Sequence, residues 1–431
     1  MKVAICGAGL TGLTLANRVS TLGGEVVLLE RAPAPRQQGY MIDFFGPGHE
    51  AVEAMGLLPA VEAIAHPLAQ ADLVDGRGRR RATVRPAQLI NGPLLNLLRP
   101  DLERVLREHL PPGVDLRFGT GPVAVDEHGD GVRVTLDDGT VLDADLLVGA
   151  DGVHSTVRRL MFGPEERFLR PLGFHTAAFS FESPRIHAEV RGRACLTDTV
   201  GRQMGFYALG GDHVVAFGVH RTRDPELPKD PRTAVREAYG GLGWVVPEAL
   251  DRCPTPSEIY YDQVAQTVLP RWHRGRVVLA GDACYAVSLV AGQGASLGIA
   301  GAYLLAEQLA RTSSVEHALT RYERLWRPVA EEKQRVGRSG AGRFVPATKR
   351  QLWIRRSVLR MSRLPLIDRS VAAALTGDSP SLHATLHRAP DPGSRGRPEH
   401  PSGRAKAPPR ALSERALKKA GGDVRPTRSD G

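Results

Sequence analysis

The chain has 431 residues, 42% of them apolar, a formal net charge of +10 and four cysteines. That length and apolar share suffice for a sizeable core in about two or three domains and exclude a wholly disordered or fibrous chain. Cys6, Cys195, Cys253 and Cys284 show no C-x-x-C spacing, which excludes a zinc framework or a disulfide scaffold, and no metal site is expected.

The first predicted element is a short apolar strand running into Gly7-Ala8-Gly9-Leu10-Thr11-Gly12, with an amphipathic helix expected over 13–22. Gly7 permits the tight turn, Gly9 lets the backbone approach a pyrophosphate, and Gly12 allows close packing of helix on strand. A second strand over 25–29 ends at Glu30. That carboxylate follows the glycines by about 20 residues, where it can accept hydrogen bonds from ribose hydroxyls. Lys2 before an apolar stretch resembles the start of a secretory leader. Arg18, Glu25 and the three glycines interrupt it too early, so a cytoplasmic chain with an intact N-terminus is expected.

Asp43 lies in Tyr40-Met41-Ile42-Asp43-Phe44, and Leu98-Arg99-Pro100-Asp101-Leu102 opens a helix further on. A buried strand over 145–150 ends at Asp151-Gly152, and Ser155 is placed to cap the helix carrying Arg158 and Arg159. A short strand is expected at 176–182. Two more lie within 201–221, joined at the turn Gly210-Gly211-Asp212. Arg202, Tyr207 and His220 fall in these strands and are candidates to face a substrate, as is Asp43; alternate strand residues facing water is the competing reading. Residues 256–271 lead back to the nucleotide-binding part through Tyr260-Tyr261-Asp262-Gln263.

Residues 277–294 combine an apolar strand, Gly281-Asp282 and the turn Gly292-Gln293-Gly294 before a long helix. A carboxylate at a strand end and backbone N–H groups at a helix start suit ribitol and phosphate hydroxyls and a developing ring anion. No charged residue separates Asp282 from Glu307, but Gly292, Gly294, Gly298 and Gly301 make a poor bilayer span. A buried core helix is expected instead, with no stable membrane insertion. Residues 346–377 read as a basic helical cap in which Trp353, Ile354, Val358, Leu359 and Met361 alternate with solvent-facing arginines, broken at Pro365. From residue 388 onward there are eleven Lys/Arg and five Asp/Glu, a net +6, without an aromatic residue. Such a tail is expected to be disordered and, lacking stacking residues, not to bind nucleic acid.

The fingerprint at Gly7–Gly12, Asp151-Gly152 and Gly281-Asp282, in this order, resemble the group A FAD-dependent monooxygenases. These are the single-component aromatic hydroxylases, including para-hydroxybenzoate hydroxylase and the tetracycline-type monooxygenases. The resemblance implies an α/β fold: a Rossmann-like FAD-binding domain, an inserted antiparallel-sheet substrate domain and a C-terminal helical region. The FAD-binding domain would take 1–75, 96–165 and 270–330, the substrate domain 76–95 and 166–269, the helical region 331–385 and the basic tail 386–431. FAD would be held by Gly7, Gly9, Leu10, Thr11 and Gly12, with Glu30 on the adenosine ribose and Arg31 beside it. Arg99 would contact the flavin, and Asp151 would lie near the pyrophosphate. Gly281 and Asp282 would face the ribitol, and Gly292, Gly294 and Ala295 would bring N–H groups beside the isoalloxazine. The chain departs from the family pattern at Tyr285 (often His), Leu289 (often Pro) and Ser296 (usually Asn), which bears on catalytic detail.

The implied reaction uses NADPH or NADH as a transient reductant, since no second fingerprint is present to hold it. O2 would form a flavin C4a-hydroperoxide, and the substrate would be an aromatic, polyketide or antibiotic-like small molecule. No catalytic acid or base is nominated. A flavin-dependent reductase of the same fold and a FAD-binding protein without monooxygenase activity remain as alternatives. The Trp-x-Trp-x-Ile-Pro motif of flavin halogenases is absent.

Overall fold

The computed structural model describes residues 1–90, 92–288, 292–361 and 381–386. Its first layer is a six-stranded sheet in the order His273–Arg274, Val277–Leu279, Leu146–Gly149, Lys2–Cys6, Glu25–Glu30, Val114–Phe118. All neighbours are parallel except the edge pair His273–Arg274 and Val277–Leu279. Parallel strands are covered on both faces, and the continuous apolar runs Val3-Ala4-Ile5 and Leu146-Leu147-Val148 are fully buried.

The first helix is Leu10–Thr21, three residues earlier than expected at its start. The close approach that Gly12 permits is visible: a Cβ there would sit 1.8 Å from the Gly7 carbonyl oxygen. Gly7 itself has φ +103°, and a Cβ would meet the Ala150 carbonyl oxygen at 2.4 Å. Helix Gly294–Ala310 packs on Leu10–Thr21 and on Pro47–Ala54. It is buried along nearly its whole length, as a core helix should be, and no described helix is long and apolar enough to cross a membrane.

A seven-stranded sheet forms the second layer: Tyr260–Thr267, Leu169–Glu182, His213–Arg221, Arg202–Ala208, Ala194–Thr199, Ala71–Val74, Arg80–Val84. The hairpin Arg202–Ala208/His213–Arg221 turns at the expected glycines, with Gly211 at φ +69°. The strand expected at 176–182 is the end of a 14-residue strand. Two expectations change. Ala71–Val74, grouped with the nucleotide-binding part, pairs in this sheet. Its pairing with Ala194–Thr199 is parallel, so the inserted sheet is mixed rather than wholly antiparallel. A short pair, Met41–Phe44 with Leu95–Leu98, and a three-stranded sheet over Pro122–His128, Gly131–Leu136 and Val141–Ala144 complete the strands.

Helix Val315–Phe344 runs for 30 residues and is followed by Lys349–Met361. In this second helix the expected faces are exchanged. Arg355 and Arg356 turn inward to Asp198, whose side chain is fully buried, at 3.4 and 2.7 Å. Trp353 is 69% exposed, and Ile354 and Val358 are exposed beside it. A buried carboxylate requires paired donors, and this requirement overrides the apolar pattern. Leu386, assigned to the tail, is buried in a short helix, Leu382–Leu386, whose first N–H donates to Glu50 at 2.7 Å. The expected tail from 387 on, residues 362–380 of the helical region and Leu289 lie outside the described residues.

Candidate cofactor and substrate site

Two cavities meet at Gly9, Arg99, Ala150 and Gly152, which line both. The first, about 330 Å³, is walled by Gly7, Glu30, Arg31, Arg36, Arg107, Asp151 and His154 among others. The second, about 380 Å³, lies between the loops and helix starts that follow the six-stranded sheet and one face of the seven-stranded sheet. Leu10, Thr11, Asp282, Gly292, Gly294 and Ala295 line it from the nucleotide-binding side. Thr176, Phe217, Tyr260 and Asp262 line it from the seven-stranded sheet, with Phe344 from the long helix.

Glu30 ends its strand with both carboxylate oxygens fixed. The N–H groups of Ala8 and Ala32 donate to Oε2 and Oε1, each at 2.9 Å. An ionised carboxylate has about four acceptor positions, so capacity remains for ribose hydroxyls. Arg99 opens helix Arg99–Glu108 and holds Glu103 at 2.9 Å, one turn along. Gly9 has only Glu103 and Arg99 side-chain atoms within 4 Å of where a Cβ would lie, at 3.7 and 3.8 Å, so its backbone borders the cavity.

Asp151 turns its carboxylate onto the next helix. It accepts from the N–H groups of Thr156 at 2.7 Å and Val157 at 3.0 Å, and from the Ser155 hydroxyl. Ser155 caps as expected, accepting from the Arg158 N–H at 2.9 Å. Arg158 is fully buried and ties the Asp151-Gly152 and Gly281-Asp282 motifs together: it donates to the carbonyls of Ala283 at 3.0 Å and Val153 at 2.6 Å and pairs with Glu165 at 2.9 Å. Asp282 follows Gly281, whose φ of +61° brings it so close to Thr11 that a Cβ would lie 2.3 Å from the hydroxyl. Burial among protein atoms pushes the Asp282 carboxyl up, opposed by Arg99 and aided by Asp262, although the residue is accessible through the cavity.

His154 joins the two layers. Its Nδ1 lies 2.9 Å from Glu165 and its Nε2 3.3 Å from Asp262 of the seven-stranded sheet. The hydrogen bond to Asp262 pushes its pKa up to about 9; partial burial opposes, and Glu165 assists.

Gly12 and Gly281 line neither cavity and act through the close contacts described above. Asp43 lines the second cavity. Arg202, Tyr207 and His220 line neither. Arg202 pairs in register with His220, and His220 with His175. Helix Pro231–Tyr239 covers this side: Arg202 donates to the Ala238 carbonyl at 2.7 Å, and His220 meets the Tyr239 hydroxyl at 3.1 Å. Phe217, of opposite parity on the same strand, lines the cavity instead. Tyr207 acts at one remove, its hydroxyl accepting from the Met41 N–H at 2.6 Å.

Tyr285 is buried and packs on Trp272 with ring centroids 4.9 Å apart, away from both cavities. Ser296 is likewise buried, against Gly48. These two departures are therefore core substitutions. Tyr40, Phe217, Tyr260, Asp262 and Phe344 are lining residues that sequence reasoning passed over. The run Tyr260-Tyr261-Asp262-Gln263 held a signal, since alternate residues of a sheet strand share a face. Phe344 carried none, because its place depends on how a 30-residue helix ends.

A family model described as an FAD binding domain matches residues 1–335. The chain belongs to this family. An uncharacterised protein of Mycobacterium tuberculosis is 33% identical over 329 residues, covering 71% of this chain and 84% of that one. The FAD-dependent monooxygenase asL4 of Sarocladium schorii is 28% identical over 328 residues, covering 72% and 76%. Among solved structures, tetracycline destructase Tet(51) superposes with a TM-score of 0.73 at 23% identity, over 88% of this chain and 99% of that one, a likeness of fold. The resemblance to the group A flavoprotein monooxygenases therefore holds for fold and family. The FAD-binding family's cofactor suits the residues present: a backbone cradle at Gly9, a carboxylate at Glu30 with spare acceptors, and Asp282 facing the cavity.

Proposed function

We propose that the protein is an FAD-dependent monooxygenase that hydroxylates an aromatic or polyketide-like small molecule, with NADPH or NADH as electron donor. One atom of O2 enters the substrate as hydroxyl and the other leaves as water, and the nicotinamide supplies the two electrons. The observation that carries this reading is the joined pair of cavities. One is lined by the dinucleotide fingerprint; the other adjoins the seven-stranded sheet and is walled with Tyr40, Phe217, Tyr260 and Phe344. The name of the Sarocladium relative supports it. A cytoplasmic location, where the nicotinamide supply is found, belongs to the same reading.

When bound, FAD supplies the electron transfer and the activation of O2. The chain's own residues do the positioning. Glu30 would accept from the ribose, the Gly9 backbone would border the pyrophosphate, and Asp282 would accept from the ribitol. N–H groups at Gly292, Gly294 and Ala295, which line the cavity, would be placed beside the flavin ring. Phe217, Val264 and Phe344 give the ring-side cavity an apolar wall opposite its carboxylates.

The reading is tested by loading the protein with FAD and following NADPH and NADH oxidation with phenols and polyketides under isotopically labelled O2. Substrate-stimulated oxidation with label in the product supports it. Oxidation yielding only hydrogen peroxide with every compound argues for a protein without monooxygenase activity. Saturation of a substrate double bond without label argues for the reductase.

A further inference from the structure

Sites that receive a substrate carboxylate present a guanidinium, an ammonium or converging N–H donors to it. The ring-side cavity has the opposite inventory. Asp43, Asp262 and Asp282 line it, and Arg99 is the only cation among its described lining residues. Arg99 is already paired with Glu103 at 2.9 Å. Asp282 belongs to the cofactor side, and Asp262 is answered by His154 at 3.3 Å. Asp43 has a single described hydrogen-bond partner, the Asn96 amide, at 2.6 Å. A carboxylate can accept about four hydrogen bonds, so Asp43 retains acceptor capacity.

The position of Asp43 is built rather than incidental. Its strand, Met41–Phe44, pairs antiparallel with Leu95–Leu98, and the Tyr207 hydroxyl accepts from Met41 N–H at 2.6 Å. Next to it stands an aromatic wall. The ring of Tyr40 lies 4.9 Å from that of Phe217 and 5.4 Å from that of Tyr260. Aromatic faces attract a cation and accept a flat ring equally well. Proximity to protein atoms pushes the Asp43 carboxyl up, with Asn96 opposing, although the residue itself is exposed to the cavity.

We propose that Asp43 is a specificity-determining residue that selects an aromatic substrate bearing a protonated amine and turns away substrates bearing a carboxylate. The inference rests on the monooxygenase reading of the same cavity.

The test uses the FAD-loaded enzyme and three phenols of matched shape: tyramine, para-ethylphenol and para-hydroxyphenylpropionate. Dissociation constants are read from the perturbation of the flavin absorption band, which needs no turnover. Tyramine is expected to bind about tenfold or more tighter than para-ethylphenol, with the carboxylate probe weakest. Asp43→Asn should bring tyramine level with para-ethylphenol, and Asp43→Lys should move the preference to the carboxylate. The flavin band of each variant reports that the fold is intact. A tyramine affinity no better than that of the other probes overturns the inference, as does a ranking that survives Asp43→Asn. Failure of the wild-type protein to bind FAD at all is a different result and defeats the parent reading instead.

Discussion

The glycines of the first turn separate cofactor contact from packing. At Gly9 a side chain would meet only the Glu103 and Arg99 side chains at ordinary contact distance, and it would point into the cavity. At Gly12 it would strike the Gly7 backbone. Gly9→Val should therefore melt close to wild type without cofactor yet bind FAD at least about tenfold more weakly, whereas Gly12→Val should lose about 1–3 kcal/mol of stability or more. Thermal unfolding of both apoproteins, with FAD titration of the first, checks the contrast. Glu30→Ala removes the acceptor for two backbone N–H groups as well as for the ribose. FAD affinity should fall by about 10- to 100-fold, the worth of a hydrogen bond to a charged group.

His154 gives a pH signature. Its pKa rises from 6.5 unfolded to about 9 folded, so the folded state binds the proton more tightly. The stabilisation is complete below about pH 6.5 and is lost as pH rises through about 9. The difference in melting temperature between wild type and His154→Gln should be constant at acid pH and close between these limits. A difference that grows with pH would contradict the pairing with Asp262 and Glu165.

At the scale of elements, sequence pattern was readable where a local rule governs. The fingerprint strand and helix, the hairpin at Gly210-Gly211 and the Ser155 cap each follow from a turn or a cap whose chemistry is contained in a few residues. It was not readable where partners are distant. Ala71–Val74 joins the second sheet only because Ala194–Thr199, far along the chain, presents an edge to it. Arg202 and His220 were offered as substrate contacts, but strand parity alone does not say which face a later helix covers. Arg355 and Arg356 were placed in solvent because nothing near them in sequence announces Asp198. Removing that buried carboxylate leaves both arginines without a countercharge, Arg355 keeping the Gln203 amide oxygen and Arg356 the backbone carbonyl at position 198. Asp198→Ala should cost about 3 kcal/mol, the lower end for a broken buried pair since the arginines are partly exposed. It should also make the segment at Lys349–Met361 more susceptible to limited proteolysis than in the wild type.

At the scale of the whole molecule, the candidate site lies between the Asp151-Gly152 and Gly281-Asp282 loops on one side and the seven-stranded sheet on the other. Arg158 ties the first loop to Ala283 beside the second, and His154 ties the first loop to Asp262 of that sheet. The nucleotide-binding side of the candidate site was legible to the extent that Gly7, Gly9, Glu30, Arg99, Asp151 and Asp282 all line one or other cavity. The substrate half was largely not, since its wall is assembled from Tyr40, Phe217, Tyr260 and Phe344, four positions brought together only by tertiary packing. Cofactor binding is therefore the claim on which the rest stands. The direct measurement is the visible absorption spectrum of the purified protein before and after addition of FAD. A flavin band that stays with the protein through gel filtration, and weakens in Glu30→Ala, is the predicted result. A colourless protein that retains no added FAD would contradict the assignment of both cavities.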